Sequence, residues 1–138
     1  MKTRLAICFA FLILGTISAR TARSLPQKDS ADERLAAVTL LRAINTAEMA
    51  ARNDQKRFVG FAELLDSGAL DSAGKHYGNA WSKLQLDRTA GGQPLPGWEM
   101  HFTVDGNGKS YSVALSEKSS HDSFFTDERG LIYEAKPL

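Results

Sequence analysis

The hydrophobic period changes along this chain, and that change restricts the possible folds more than any other feature of the sequence. Residues 31–54 contain no glycine or proline and are rich in helix-forming residues. Apolar side chains recur there at helical spacing, at Ala37, Leu40, Leu41, Ile44, Ala47 and Ala51. From Trp98 onward, apolar side chains instead alternate with polar ones. The sequence therefore predicts an α+β fold, with a long N-terminal helix packed on an antiparallel sheet of three or four strands.

Local signals place the ends of two helices. Ser30 and Glu33 have the spacing of a capping box, in which each side chain bonds the other residue's backbone amide. The first helix is therefore predicted to run from Ala31 to about Asp54. Residues 61–65 predict a short second helix, which Gly68 ends because glycine tolerates a left-handed backbone.

Two hairpins are predicted in the C-terminal third of the chain. Residues 98–105 and 110–116 alternate in polarity, and the turn-rich residues 105–108 join them. Residues 124–126 and 131–133 predict a second hairpin around a turn at 127–130. Phe124 and Phe125 are adjacent, so they point to opposite faces of their strand. One of them is expected in the core, and the other is a candidate for contact with a partner.

The first 19 residues have the pattern of a secretory signal peptide. Lys2 and Arg4 precede an apolar run over residues 5–19, which is shorter than the ~20 residues of a membrane-spanning helix. An uncleaved anchor stays open as an alternative, because Ile17 is not the small residue that a cleavage site usually has there. Residues 20–29 are predicted to be a polar linker, and residues 30–138 a single α+β domain.

Cysteine usage and charge exclude several classes of function. Cys8, the only cysteine, lies within the predicted signal peptide, so the mature chain would have no disulfide, thiolate nucleophile or cysteine metal site. Removing residues 1–19 takes two of the 17 basic residues and none of the 16 acidic ones, which leaves a net charge near −1. A charge so close to zero does not predict binding to nucleic acid or to an anionic membrane.

The turn between the first two predicted strands contains two motifs that could suggest a ligand. Residues 106–110 superficially match a phosphate-binding loop, but that motif needs its first glycine at position 103, where Thr103 stands, and a helix after it. Asp105 and Asn107 could begin a calcium site, although no twelve-residue loop ending in glutamate follows. The preferred interpretation is a hairpin turn, and calcium binding stays open.

No catalytic, cofactor-binding or metal-binding residue is predicted. His76, His101 and His121 lie far apart in the sequence, and alternation places His101 on the solvated face of its strand. The sequence contains neither a nucleophile-elbow serine motif nor a zinc-protease histidine pair. We therefore expect a protein that is not an enzyme and has no cofactor.

Glu48 is the one charged residue on the apolar stripe of the first helix. It could be buried with a raised pKa. The preferred interpretation is that it leans to the edge of the stripe and pairs with Arg52 one turn later.

Two stretches of sequence carry a resemblance to a known family. Residues 43–48 read Ala-Ile-Asn-Thr-Ala-Glu. Together with residues 58–70, which follow them, they resemble the helix-to-loop passage of bacterial pilin-like proteins. Residues 123–132 resemble the final hairpin of these proteins. The order of elements likewise resembles the globular headpiece of type IV pilins and type II secretion pseudopilins. One feature departs from that family: Gly15 is followed by Thr16, and Arg20 stands where a pilin has glutamate. The filament-forming half of the family's helix is thus missing.

The resemblance implies a secreted or periplasmic, non-catalytic interaction or structural domain. Its expected partners are other proteins of the cell envelope, with no nucleic acid and no stable membrane span after signal cleavage, and the protein is expected to be a monomer or weak oligomer. The alternative is a small periplasmic ligand-binding protein or enzyme with its site in residues 71–96. That segment holds six glycine or proline residues and shows no clear period, and its Trp81, Leu84 and Leu86 are expected to pack on the core.

Overall fold

The structure, a computed structural model, describes residues 27–88 and 92–138. The predicted signal peptide and most of the predicted linker lie outside these residues. The helices are α1 (Gln27–Gln55), α2 (Phe61–Asp66), α3 (Ala69–Gly74) and α4 (Asn79–Ser82), with a 3₁₀ turn at Lys75–Tyr77. The strands are β1 (Trp98–Val104), β2 (Tyr111–Glu117), β3 (Ser123–Asp127) and β4 (Ile132–Ala135). The α+β fold is confirmed.

Helix α1 has 29 residues and is about 44 Å long, since an α-helix rises ~1.5 Å per residue. Its predicted apolar stripe is buried from Ala37 to Ala47, and Ala51 is half-buried. The predicted start was wrong. Gln27 is already helical, so Ser30 lies inside the helix instead of capping it. No glycine or proline stands between these two residues to prevent the helix from including them.

The four strands form an antiparallel sheet in the order β1-β2-β3-β4, which confirms both predicted hairpins. In β1 and β2 alternate side chains are buried. The buried side chains form the inner face of the sheet, under α1: Trp98, Met100, Phe102, Tyr111, Val113, Leu115, Phe124 and Thr126. The opposite, outer face of the sheet carries the alternate residues of each strand.

Gly108 is the glycine of the β1–β2 turn whose small size matters most. It has a φ of +62°, and a Cβ there would lie 2.8 Å from Cβ of Arg57 and 3.0 Å from the carbonyl oxygen of Phe58. The close approach allows the Phe58 N–H to donate a hydrogen bond of 2.8 Å to the Gly108 carbonyl. The turn therefore packs directly on the connection between α1 and α2.

The described part of the segment 71–96, residues 71–88 and 92–96, is more helical than predicted. It contains most of α3, the 3₁₀ turn and α4, where the sequence analysis expected a loop. Helices of six and four residues are too short for an apolar period to be visible in sequence. Packing on α1 stabilises them instead, and Trp81, Leu84 and Leu86 are half-buried against the core, as predicted.

Within residues 27–88 and 92–138, none of the helices has both the length and the apolar character needed to cross a membrane.

Candidate functional site

Glu48 is fully buried on the core face of α1. Among the described residues, its Oε2 accepts a hydrogen bond of 3.0 Å from the Val59 N–H, and its Oε1 has no hydrogen-bond partner. The predicted pairing with Arg52 was wrong. Instead, the Arg52 guanidinium lies 5.2 Å from the centre of the Phe58 ring. The connection after α1 folds back over the helix, so Glu48 meets a backbone amide there, and Arg52 packs on an aromatic ring.

Burial raises the pKa of Glu48 to about 7, because the interior solvates a carboxylate poorly. The hydrogen bond from Val59 and the positive charge of Arg57 lower the pKa, whereas the negative charge of Glu63 raises it. Tyr111 lies nearby in β2, and its pKa is also raised, first by burial and then by the charge of Glu48. The alternative that the sequence analysis placed second, a buried glutamate with a raised pKa, is therefore the correct one.

The position of Glu48 argues against a role in catalysis. A general acid or base must come within hydrogen-bonding distance of its substrate. The Glu48 side chain has no exposed surface, and its one hydrogen bond is to the protein's own backbone. The hydrogen bond of Glu48 therefore joins α1 to the connection that follows it.

A polar network centred on Asn45 joins α1 to the sheet. Its Oδ1 accepts hydrogen bonds from the Tyr111 hydroxyl at 2.7 Å and from Thr126 Oγ1 at 3.0 Å. Its Nδ2 donates to the Gly130 carbonyl at 3.0 Å. The sequence analysis missed this network. The signal available was an asparagine next to the apolar stripe, but its partners lie 66 to 85 residues away.

A second contact between helix and sheet lies near the N-terminal end of α1. The Arg34 guanidinium forms ion pairs with Asp122 and Glu134, and it lies 5.1 Å from the centre of the Phe124 ring. These groups are only partly exposed. Arg34 therefore fixes this end of the helix over strands β3 and β4.

The outer face of the sheet carries an exposed pair of aromatic side chains. Phe125 on β3 is 40% exposed, whereas its neighbour Phe124 is buried, which confirms that the two point to opposite faces. Tyr133 is the cross-strand partner of Phe125, and their rings stack with centres 4.7 Å apart and planes 14° apart. The Arg129 guanidinium lies 5.6 Å from the Tyr133 ring centre. We call Phe125, Tyr133 and Arg129 the aromatic patch.

An open groove of about 400 Å³ lies between α1 and α3. Ala47 and Ala50 line it from α1, and Ala69 and Ala73 line it from α3. Residues 71–96 contribute part of the wall, including the polar side chains of Ser72 and His76. The alternative hypothesis places a ligand site in that segment. This groove is a concave surface that such a site could use.

The β1–β2 turn forms the hairpin predicted for it. Asp105 Oδ1 accepts hydrogen bonds from the backbone N–H groups of Lys109, at 2.6 Å, and Ser110, at 3.3 Å. Its carboxylate thus closes the turn, and Asn107 is exposed. In the described part of the chain, no group of three or more histidine, cysteine, aspartate or glutamate side chains could hold a metal ion.

The structure keeps the three histidines on separate elements. His76 lies in the 3₁₀ turn, and His121 lies between β2 and β3. His101 is exposed on β1, as alternation predicted, with Nε2 3.6 Å from Glu99 Oε1.

Comparisons of the chain with protein-family models, with curated proteins and with solved structures found no match.

Proposed function

We propose that this chain is an exported, non-catalytic protein-interaction domain with the architecture of a pilin headpiece. The observation that carries the proposal is the aromatic patch on the outer face of the sheet. Helix α1 packs on the inner face, whereas the patch lies on the outer face, where Phe125 is exposed. Aromatic side chains and arginine are the residues most enriched at the centres of protein interfaces.

The surroundings of the patch favour a protein partner over a polyanion. Cross-strand register places Ala114 beside Phe125, and His101 beside Ala114, so a small apolar side chain and then an imidazole continue the row across the sheet. The Arg129 charge is already paired with Asp127 through the Nε and Nη2 atoms of its guanidinium. Asp127 therefore offsets the Arg129 charge beside the rings, and the stacked rings would lose water on contact with another protein.

The resemblance to pilin headpieces supports the remaining parts of the proposal. It implies that the partners are other proteins of the cell envelope and that the protein is secreted or periplasmic. The long helix packed on a four-stranded antiparallel meander is consistent with that architecture.

Site-specific photo-crosslinking in cells tests the proposal. A benzoylphenylalanine at position 133 is expected to form one dominant adduct with an envelope protein, whereas the same probe at the exposed Lys109 is expected to form none.

The partner is then identified and purified, and the Phe125→Ala variant is expected to bind it at least tenfold more weakly, because truncating an interface anchor costs more than about 1 kcal/mol. Thr103→Ala, an exposed change on β1, is the matched control. Equal adducts at both positions, or unchanged binding by Phe125→Ala, would contradict the proposal.

The groove between α1 and α3 favours a second candidate function, the binding of a small molecule. Its volume of about 400 Å³ lies within the usual range of ligand pockets, roughly 300–1,000 Å³. A thermal-shift screen of the protein against metals and common metabolites tests this candidate, since a bound ligand raises the melting temperature with its concentration. An Ala50→Trp variant fills the groove from an exposed position and is expected to abolish a genuine shift. A ligand that stabilises the wild type and not this variant would favour ligand binding over the interaction domain.

A further inference from the structure

The connection between α1 and α2, residues 56–60, is held at one point by α1 and at another by the sheet. It begins at Lys56, whose backbone has a φ of +61°, a conformation that side-chain-bearing residues rarely adopt. The Phe58 N–H donates to the carbonyl of Gly108 in the β1–β2 turn, and the Val59 N–H donates to Glu48 on α1. The carboxyl of Glu48 thus holds the backbone of this connection to α1, and Arg52 of α1 packs on its Phe58 ring.

The environment of Glu48 compensates its negative charge poorly. In the part of the chain that the structure describes, one oxygen has a single backbone donor and the other has no hydrogen-bond partner. The positive charge of Arg57 lowers the pKa of Glu48, but its guanidinium is half-exposed and already bonded to both carboxylate oxygens of Glu63. Burying an ion without a partner costs far more than burying the neutral acid, whose carbonyl oxygen can still accept from Val59.

The remaining groups around Glu48 do not restore this balance. Tyr111 on β2 donates its hydroxyl proton to Asn45, so that proton is already used in a hydrogen bond. Arg52, one turn along α1, packs on the Phe58 ring. Glu63 on α2 repels the charge. Protonated Glu48 therefore fits this site better than ionised Glu48.

We propose that Glu48 is a pH-sensitive latch: the protonated carboxyl holds residues 56–60 against α1, and ionisation loosens them. Because the Phe58 N–H joins the same segment to Gly108, the β1–β2 turn loosens with it. Opening lets water reach the carboxylate and relieves the buried charge. The latch thus couples the external pH to the surface formed by the connection and the turn.

Hydrogen exchange of the wild-type protein between pH 4.5 and pH 8 tests the latch. The free carboxyl has a pKa of 4.5 and the buried one a pKa of about 7, so the opening equilibrium rises about tenfold per pH unit between these values. After correction for intrinsic exchange, the protection of the Val59 and Phe58 amides is expected to fall on the order of a hundredfold over this range. Amides in the centre of β2 are expected to remain more protected than these two at every pH, because the latch opens locally.

Two variants separate the latch from general effects of pH. Glu48→Gln keeps the shape and the acceptor oxygen but cannot ionise, so the protection of Val59 is expected to become independent of pH. Glu99→Gln changes an exposed carboxylate on β1, and the pH dependence is expected to persist. If Glu48→Gln does not fold, a ¹³C titration of the Glu48 carboxyl in the wild type measures its ionisation directly. The proposal would be overturned if the protection of the Val59 amide did not change with pH. It would also be overturned if that protection equalled the protection of the β2 amides at every pH.

Discussion

The Tyr111 hydroxyl donates a hydrogen bond of 2.7 Å to Oδ1 of Asn45, across 66 residues of sequence. Through this bond the second strand of the sheet is joined to the middle of α1. The Tyr111 ring lies at the same time 4.9 Å from the ring of Phe58, measured between centres. A single inward-facing tyrosine therefore connects the helix, the sheet and the connection that follows the helix.

Replacing Asn45 by alanine is expected to destabilise the protein by about 2–3 kcal/mol, because the buried partners of its side chain lose their hydrogen bonds. Among the described residues, the Tyr111 hydroxyl is left with no other acceptor, whereas Thr126 can still donate to the Leu131 carbonyl. Thr46→Ala is the matched control, since its exposed hydroxyl bonds only the Arg42 carbonyl one turn earlier. Urea unfolding gives the comparison. If Asn45→Ala lowers the free energy of unfolding no more than Thr46→Ala does, the network contributes nothing to stability.

The ionisation of Glu48 is expected to make the protein less stable as the pH rises. Its folded pKa of about 7 lies above the reference value of 4.5, so the folded state binds the proton more tightly. The stabilisation is complete below pH 4.5, falls as the pH rises towards 7, and is lost above that. Its upper bound is about 3 kcal/mol, at ~1.36 kcal/mol per pKa unit.

Thermal melts of the wild type and of Glu48→Gln between pH 5 and pH 8 measure this effect. The difference in stability between the two proteins is expected to change in favour of the variant as the pH rises. Surface carboxylates with lowered pKa values, such as Glu117 and Glu134, affect both proteins equally and cancel in the difference. Parallel pH profiles for the two proteins would show that Glu48 titrates normally in the folded state.

The parts of the fold that could be predicted are those in which neighbouring residues carry the signal. The apolar stripe of α1 and the alternation of β1 and β2 depend on residues a few positions apart, so the sequence analysis found them. The position of Phe124 inside and Phe125 outside follows from the same alternation.

The features that sequence reasoning missed depend on contacts between distant segments. The orientation of Glu48 is decided by the Val59 N–H, which reaches it only because the backbone turns at Lys56. Helix α3 forms where packing on α1 stabilises six residues that would not be helical alone. The Asn45 network forms only when α1 lies at one position along the sheet, and no local sequence pattern determines that position.

Gly108→Ala is expected to destabilise the protein by about 1–3 kcal/mol, because the new Cβ would collide with Arg57 and the Phe58 carbonyl, and because φ is +62°. Gly106, two residues earlier, has no atom within 4 Å of its would-be Cβ, so Gly106→Ala is the matched control and is expected to change stability little. Both variants are compared by urea denaturation. Equal effects of the two changes would mean that the turn does not pack on the connection in solution.

Truncating the chain after Ser116 is expected to abolish folding. The removed part contains β3 and β4, with the buried side chains of Phe124 and Thr126. It also contains the two acidic partners of Arg34, Asp122 and Glu134. A buried large apolar side chain contributes roughly 1.5–3 kcal/mol, against a total stability of about 5–15 kcal/mol. Circular dichroism of the fragment on heating is expected to show no cooperative transition, and a sharp transition would contradict the sheet order β1-β2-β3-β4.

We expect the purified protein without residues 1–19 to remain a monomer or weak oligomer and to form no pilus-like fibre. The edges of the sheet are poor templates for addition of another strand. At the β1 edge the Met100 N–H already donates to the Gly92 carbonyl at 3.0 Å. At the opposite edge, β4 is followed by Lys136 and Pro137, residue types that disfavour strand pairing. Among the described residues the large exposed apolar side chains lie at separate places: on α1 at Leu35 and Met49, on the β3–β4 hairpin, and at Leu138. Contacts between copies are therefore expected to be small and mostly polar, below the area that stable interfaces bury.

Light scattering and electron microscopy of the protein concentrated to the millimolar range measure its state of association, and ordered fibres in the micrographs would contradict the prediction.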